Sequence, residues 1–264
     1  MEKNPHLPKQ DREPPLAKTC RQRRKALWTR VRSLLQWGLG ALVFGANVGI
    51  LFFLGFFLSQ EKLDAFLQCM AAQMIWVSGI KLRVEGEENI DRDQTYILIF
   101  NHINFFDHFV LFRALKLRKL RGIEKESHFS WPIYGTFLRK IHILPIAPRG
   151  DTRRARASLE KAKDFLAQGY SMGIAPEGTR SIDGKLQAFK KGAFHLAIQT
   201  KATLLPVVLI NMDRFNLKSQ WDLHPCEVTV RILPPIDAST YHENQVTTLR
   251  NHCHRTIAME LKSS

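Results

Sequence analysis

The sequence predicts an α/β fold: a mainly parallel sheet flanked by helices, set behind an apolar N-terminal anchor. Three observations predict it. From residue 81 onward, short runs rich in Val, Ile and Leu alternate with helical patterns, as β–α–β units with parallel strands do. Ahead of them, residues 38–58 carry no charge over 21 positions. A chain of 264 residues with 45% hydrophobic content is long enough for one packed domain plus such an anchor. The expected division is a tail over 1–36, an anchor over 37–80 and a domain over 81–264.

Residues 1–36 hold ten Lys/Arg against three Asp/Glu and several prolines. They read as a disordered basic tail, cytoplasmic by the positive-inside rule. The run "GLGALVFGANVGILFFLGFFL" reaches about 31 Å as a helix, enough to cross a hydrocarbon core. It is apolar on every face, unlike an amphipathic core helix, and too long and too far from the start for a cleaved signal peptide. Residues 63–80, "LDAFLQCMAAQMIWVSGI", are also largely apolar, but Asp64, Gln68 and Gln73 make them a poorer span. They fit either the second arm of a hairpin or an interfacial helix with Trp76 near the headgroups.

In the domain, "KLRVEG" and "QTYILIF" read as strands and "DHFVLFRALKL" as a helix. "WPIYGTFLRK" is a short helix and "IHILPIA" a strand. "DTRRARASLEKAKDFLAQG" is a helix with Asp151 as N-cap and Gly169 as its stop. "YSMGIAP" is a strand, "KKGAFHLAIQT" a helix, "ATLLPVVLI" and "CEVTVRIL" strands, and 241–261 a closing helix. In open α/β sheets, sites gather beyond the carboxyl ends of the strands.

The net charge is +15, of which the tail holds +7. A basic body implies an anionic partner, whether nucleic acid, lipid headgroup or phosphorylated substrate, unless it is simply a solvated surface. Four cysteines without a Cys-x-x-Cys argue against a zinc knuckle or disulfide scaffold and fit a reducing compartment. His252 and His254, two apart on a helix, diverge too far to share a metal.

Three strand ends carry polar groups. "NHINFFDH" (101–108) leaves the strand "TYILIF" with His102 and Asp107. Fewer than one His-x4-Asp pair is expected by chance, and the sequence holds two; the other, His6…Asp11, lies in the tail without a scaffold. On one continuous helix the two side chains would diverge by about 140°. With His102 in the turn and Asp107 in the first helical turn they can meet, Asp107 accepting the Nδ1 hydrogen and leaving Nε2 as a base; the alternative is a turn of polar residues that caps the helix. "IAPEGTRS" (174–181) stops a strand at Pro176, turns at Gly178 and is expected to project Glu177, Thr179 and Arg180. Arg180 offers a planar fork for phosphate or carboxylate. "ILPIAPRGD" presents Arg149.

These residues resemble the 1-acyl-sn-glycerol-3-phosphate acyltransferase family of glycerolipid acyltransferases. "NHINFFDH" is similar to its Asn-His-x4-Asp block and "PEGTRS" to its Glu-Gly-Thr-Arg-Ser block. "ILPIAPRG" is similar to its block ending in Arg, and "LLPVVLI" to its late Pro-containing strand. The likeness spans about residues 80–235. Ile103-Asn104 stands where the family often has Gln-Ser, and Pro148 where it often has Asp. The resemblance implies acyl transfer from a thioester, acyl-CoA or acyl carrier protein, to the hydroxyl of a lysophospholipid such as 1-acylglycerol-3-phosphate. It implies His102 as base and Asp107 as its support. Arg180 and Arg149 would grip the phosphate, Glu177, Gly178 and Thr179 would shape that pocket, and Lys125 of "GIEKESHF" would be a further phosphate contact. It implies no metal or other cofactor and no nucleic acid. Because donor and basic tail would share the cytoplasm, it favours a helical hairpin anchor in the membrane lipid over a single crossing. Rival acceptors are other lysophospholipids, glycerol-3-phosphate and an amino-lipid. Rival classes are a His/Asp hydrolase, which lacks a Gly-x-Ser-x-Gly nucleophile turn, and a membrane-attached basic lipid-binding module.

Overall fold

A computed structural model of the chain describes residues 20–147 and 151–263. Helix α1 (Cys20–Leu54) begins well inside the segment expected to be a disordered tail. Its first turns are built from Arg, Lys, Ala, Leu and Gln, which are strong helix formers, and they continue into the apolar run without a break. Residues 1–19, with His6 and Asp11, lie outside the described residues. The apolar run 38–58 is not one helix. The chain turns at Gly55, whose amide bonds back to the Leu51 carbonyl and where a Cβ would strike that same oxygen. Helix α2 (Gln60–Ser78) then returns, capped by Ser59 and stopped by Gly79 in the left-handed conformation at φ 75°. The expected hairpin therefore forms, and α1 and α2 pack on each other.

The strands are β1 (Lys81–Glu85), β2 (Tyr96–Phe100), β3 (Leu120–Lys125), β4 (Leu144–Ile146), β5 (Ser171–Ile174), β6 (Thr203–Ile210), β7 (Glu227–Ile232) and β8 (Ile236–Asp237). They form one sheet in the order β1-β7-β6-β2-β5-β3-β4, with β8 against β6. Pairing is parallel apart from β6 with β7 and β6 with β8. The carboxyl ends of β2 through β6 thus open on the same side.

The helices after the anchor are α3 (Asp107–Leu115), α4 (Pro132–Lys140), α5 (Thr152–Ala167), α6 (Gly192–Thr200), α7 (Met212–Phe215) and α8 (Val246–Lys262). Helix α5 is capped as its sequence predicts: Asp151 accepts the Arg154 amide, and Gly169 follows at φ 78°. Strand β2 is buried on both faces, and its alternation sorts the core into two layers. Leu98 and Phe100 pack with Leu67 of α2 and Val110 of α3. Ile97 and Ile99 pack with Phe194 of α6 and Leu249 of α8.

Candidate active site

Central strand β2 ends at Phe100, and its ladder is prolonged by a side chain. Buried Asn101 donates its Nδ2 to the Leu209 carbonyl at 3.0 Å and accepts the Leu209 amide at 2.8 Å. This fixes the backbone where His102 departs. Helix α3 begins at Asp107, so the turn between them brings both side chains to one point. His102 Nδ1 lies 2.7 Å from Asp107 Oδ2. The same oxygen accepts the amides of Ile103 at 2.7 Å and Asn104 at 3.1 Å. A carboxylate only accepts, so Nδ1 carries the hydrogen and Nε2 keeps its lone pair. Asp107 is wholly buried, while the His102 side chain retains 18% exposure. Asp107 Oδ1 is buried without a hydrogen-bond partner among the described residues. Asn104 braces the turn from beneath, donating to the Met212 and Asn216 carbonyls.

The loop after β5 clamps His102 from both sides. Glu177 Oε1 accepts the His102 amide at 2.8 Å, and the Ser181 amide donates to the His102 carbonyl at 2.8 Å. Glu177 Oε2 accepts the Gln187 amide at 2.9 Å. Glu177 therefore does not project toward a ligand, as its place in the turn suggests. It is buried and both oxygens are occupied by backbone, because only a carboxylate long enough to cross between two loops can satisfy amides from each. Burial pushes its carboxyl above the usual carboxylate range, against the two amides and His102, which pull it down.

Gly178 takes the left-handed conformation at φ 68°, where a Cβ would meet Lys190 Nζ at 2.5 Å. Thr179 and Arg180 are half-buried on the same loop. The Arg180 guanidinium makes no ion pair with any described residue, and its charge is felt at His108. Arg149 lies outside the described residues. Lys125 closes β3, is exposed, and makes no hydrogen bond or ion pair through its side chain with the other site residues. The structure thus brings together His102, Asp107, Glu177 and Ser181, with Gly178, Thr179 and Arg180 on the connecting loop.

Four residues of the site, all within the two motif blocks, have no role expected from the sequence. Asn101, Asn104 and Ser181 act through backbone partners, and Asn104 and Asn101 reach residues 108 positions away. Asn101 and Asn104 stand beside His102 and Asp107 in the sequence and Ser181 beside Arg180, and that proximity is the signal available. The fourth is His108, whose ring stands edge-on to His102 with centroids 5.7 Å apart.

Comparison with known proteins gives the family. The Acyltransferase family model matches residues 81–210, which hold every residue of the site. The 1-acyl-sn-glycerol-3-phosphate acyltransferase of Borreliella burgdorferi is 30% identical over 66% of this chain and 70% of its own length. That of Limnanthes douglasii is 26% identical over 72% of this chain and 67% of its length. The alpha form from Homo sapiens is 25% identical over 75% and 70%. The crystal structure of the 1-acyl-sn-glycerophosphate (LPA) acyltransferase PlsC from Thermotoga maritima superposes with a TM-score of 0.75. It is 23% identical, covers 89% of this chain and 97% of that one, and shares the fold. On the strength of the Borreliella match over most of its length, this chain belongs to the 1-acyl-sn-glycerol-3-phosphate acyltransferase family and is an O-acyltransferase.

Proposed function

We propose that this enzyme moves a fatty acyl group from a thioester to the free hydroxyl of 1-acylglycerol-3-phosphate, giving phosphatidic acid. The observation that carries the reading is the His102–Asp107 pair at 2.7 Å, clamped by the loop that bears Arg180. Nε2 of His102 takes the proton of the acceptor hydroxyl as its oxygen attacks the thioester carbonyl. Asp107 holds the imidazolium that forms. When the tetrahedral intermediate collapses, the carbon–sulfur bond breaks and the thiolate recovers the proton from His102. Such a base contributes roughly 10²–10⁴ in rate.

In this reading Arg180 holds the acceptor phosphate in a two-pronged contact, assisted by Arg149 and Lys125. Gly178 lets the loop backbone approach, Thr179 lines it, and Glu177 positions rather than binds. The donor is acyl-CoA or acyl carrier protein, as co-substrate and not as a resident cofactor.

Helix α1 is long and apolar enough to anchor the protein in a membrane. Its contacts favour an anchor that lies along one face of the bilayer. Arg32 bonds the Leu223 carbonyl, Trp37 the Trp221 carbonyl, and Gly55 sits against Lys140. These contacts span about 35 Å of helix, so a crossing α1 would drag the body into the hydrocarbon. We place the body on the cytoplasmic face, beside the basic N-terminal segment and the donor.

The test is purified protein with labelled acyl-CoA, acyl carrier protein thioester and a panel of acceptors, alongside His102→Ala. Transfer to 1-acylglycerol-3-phosphate that disappears in the folded variant supports the reading. Near-wild-type turnover by His102→Ala removes the base, and transfer to a different acceptor removes the substrate.

A further inference from the structure

His108 follows Asp107 in the first turn of α3, and the mechanism above leaves it unused. Its ring meets His102 edge to face, with planes at 89°, and meets Phe100 with centroids 6.1 Å apart. It lies over Gly122 of β3, where an added Cβ would stand 3.5 Å from its Cδ2. Titratable or charged groups face it from each direction: His102 in the turn before, Asp107 on its own helix, Glu124 from β3, and Arg180 from the loop after β5. The residue as a whole is half-buried. It therefore sits within electrostatic reach of both the base and the phosphate grip.

We propose that His108 is a further acceptor-binding residue, which takes up a proton from solvent as the acceptor phosphate settles beside Arg180. The inference rests on the reading of the acceptor given above. Burial, and then His102, hold the imidazole below its ordinary pKa, with Arg180 acting the same way and Asp107 and Glu124 opposing. That direction favours the neutral ring before the acceptor arrives. In 1-acylglycerol-3-phosphate the reacting hydroxyl and the phosphate sit on adjacent carbons, so a phosphate whose neighbouring hydroxyl meets His102 comes close to the His108 ring beside that base. A phosphate delivers negative charge where desolvation had disfavoured a cation, and an opposite charge within about 4–6 Å favours the charged form. The protonated ring then donates a charge-assisted hydrogen bond. Because acceptor binding raises the pKa, the added affinity is present at pH below the bound value and is lost as pH rises through it.

The experiment uses the full chain with lysophosphatidate and acyl-CoA varied in turn, from about pH 6 to 8.5. His108→Phe keeps the ring packing; His108→Asn keeps a donor but cannot titrate. We expect His108→Phe to raise the acceptor KM about tenfold or more near pH 6.5, with the donor KM within about twofold. The variant-to-wild-type ratio should shrink as pH rises, which cancels ionisation of the phosphate itself. Calorimetry of lysophosphatidate binding in buffers of different ionisation enthalpy should show greater proton uptake by wild type than by either variant. If His108→Phe fails to fold by circular dichroism, His108→Asn carries the same comparison. Equal acceptor KM and equal proton uptake in an active wild type overturn this inference alone. A wild type that transfers only to acceptors without a phosphate overturns it together with the substrate reading.

Discussion

Asp107 Oδ2 gathers three donors, the His102 imidazole and the Ile103 and Asn104 amides, within 3.1 Å. Asp107→Asn keeps the shape but loses the charge that supports an imidazolium. Its amide nitrogen would also replace the buried, unpartnered Oδ1. We expect kcat to fall by about two to four orders of magnitude, with circular dichroism unchanged; loss of less than threefold in a saturating assay would remove Asp107 from the chemistry. Glu177→Gln is expected to act differently. A carboxamide has one acceptor oxygen where two amides, of His102 and Gln187, both need one. One buried N–H is left unpaired, a loss of about 1–3 kcal/mol. The signature is a lowered unfolding midpoint together with a lowered kcat, and a variant with intact stability would contradict the brace. The two carboxylates also show what was legible at this scale. His102 and Asp107 stand five apart at a strand end, so their meeting follows from the local chain path. Glu177 looks solvent-facing in its turn, because its partners lie 75 residues before and 10 after it.

At the scale of elements, the anchor is tied to the sheet by an ion pair whose arginine is buried. Asp64 of α2 lies 2.6 Å from Arg121 of β3, whose side chain is 1% exposed. Asp64 also accepts the Lys119 amide. Asp64→Ala strands a guanidinium in the interior, which destabilises by about 3–5 kcal/mol. Asp64→Ala combined with Arg121→Met is expected to recover much of that, since an apolar side chain of similar length needs no partner. Denaturant melts of the single and double variants check it; additive losses would mean that the pair is not coupled. This pair also explains why β3 was missed in the sequence. "LRGIEK" breaks the apolar pattern with Arg121 and Gly122, and an arginine reads as exposed until its carboxylate partner, 57 residues earlier, is placed. The long helix α5 needed no such help: its cap, its stop and its apolar period are all local. The Gly55 turn was hidden within an uncharged run, because a glycine there is as apolar as its neighbours.

At the scale of the molecule, one side of α1 faces the body and the other faces outward. Phe44 packs on Phe105, Phe109 and Phe137. Leu35, Leu42 and Phe53 are exposed, and so are Phe56 and Phe57 in the turn that follows, Phe57 by 85%. Water is a poor partner for such a strip, whereas the acyl boundary of a bilayer removes it from water. A full insertion of one such side chain is worth about 1.5–3 kcal/mol, so Phe57→Glu should weaken vesicle partitioning by roughly tenfold or more while leaving the fold intact. Flotation with vesicles, read beside circular dichroism, measures this. The same geometry bears on the sidedness that we propose. If α1 lies along the surface, a reporter at residue 60 and one at the C-terminus should share the compartment of the N-terminus, and protease added outside sealed cytoplasm-inside vesicles should cleave none of the three. A protected N-terminus with an exposed C-terminus would require α1 to cross, and with it the loss of the Arg32, Trp37 and Gly55 contacts that join it to the body.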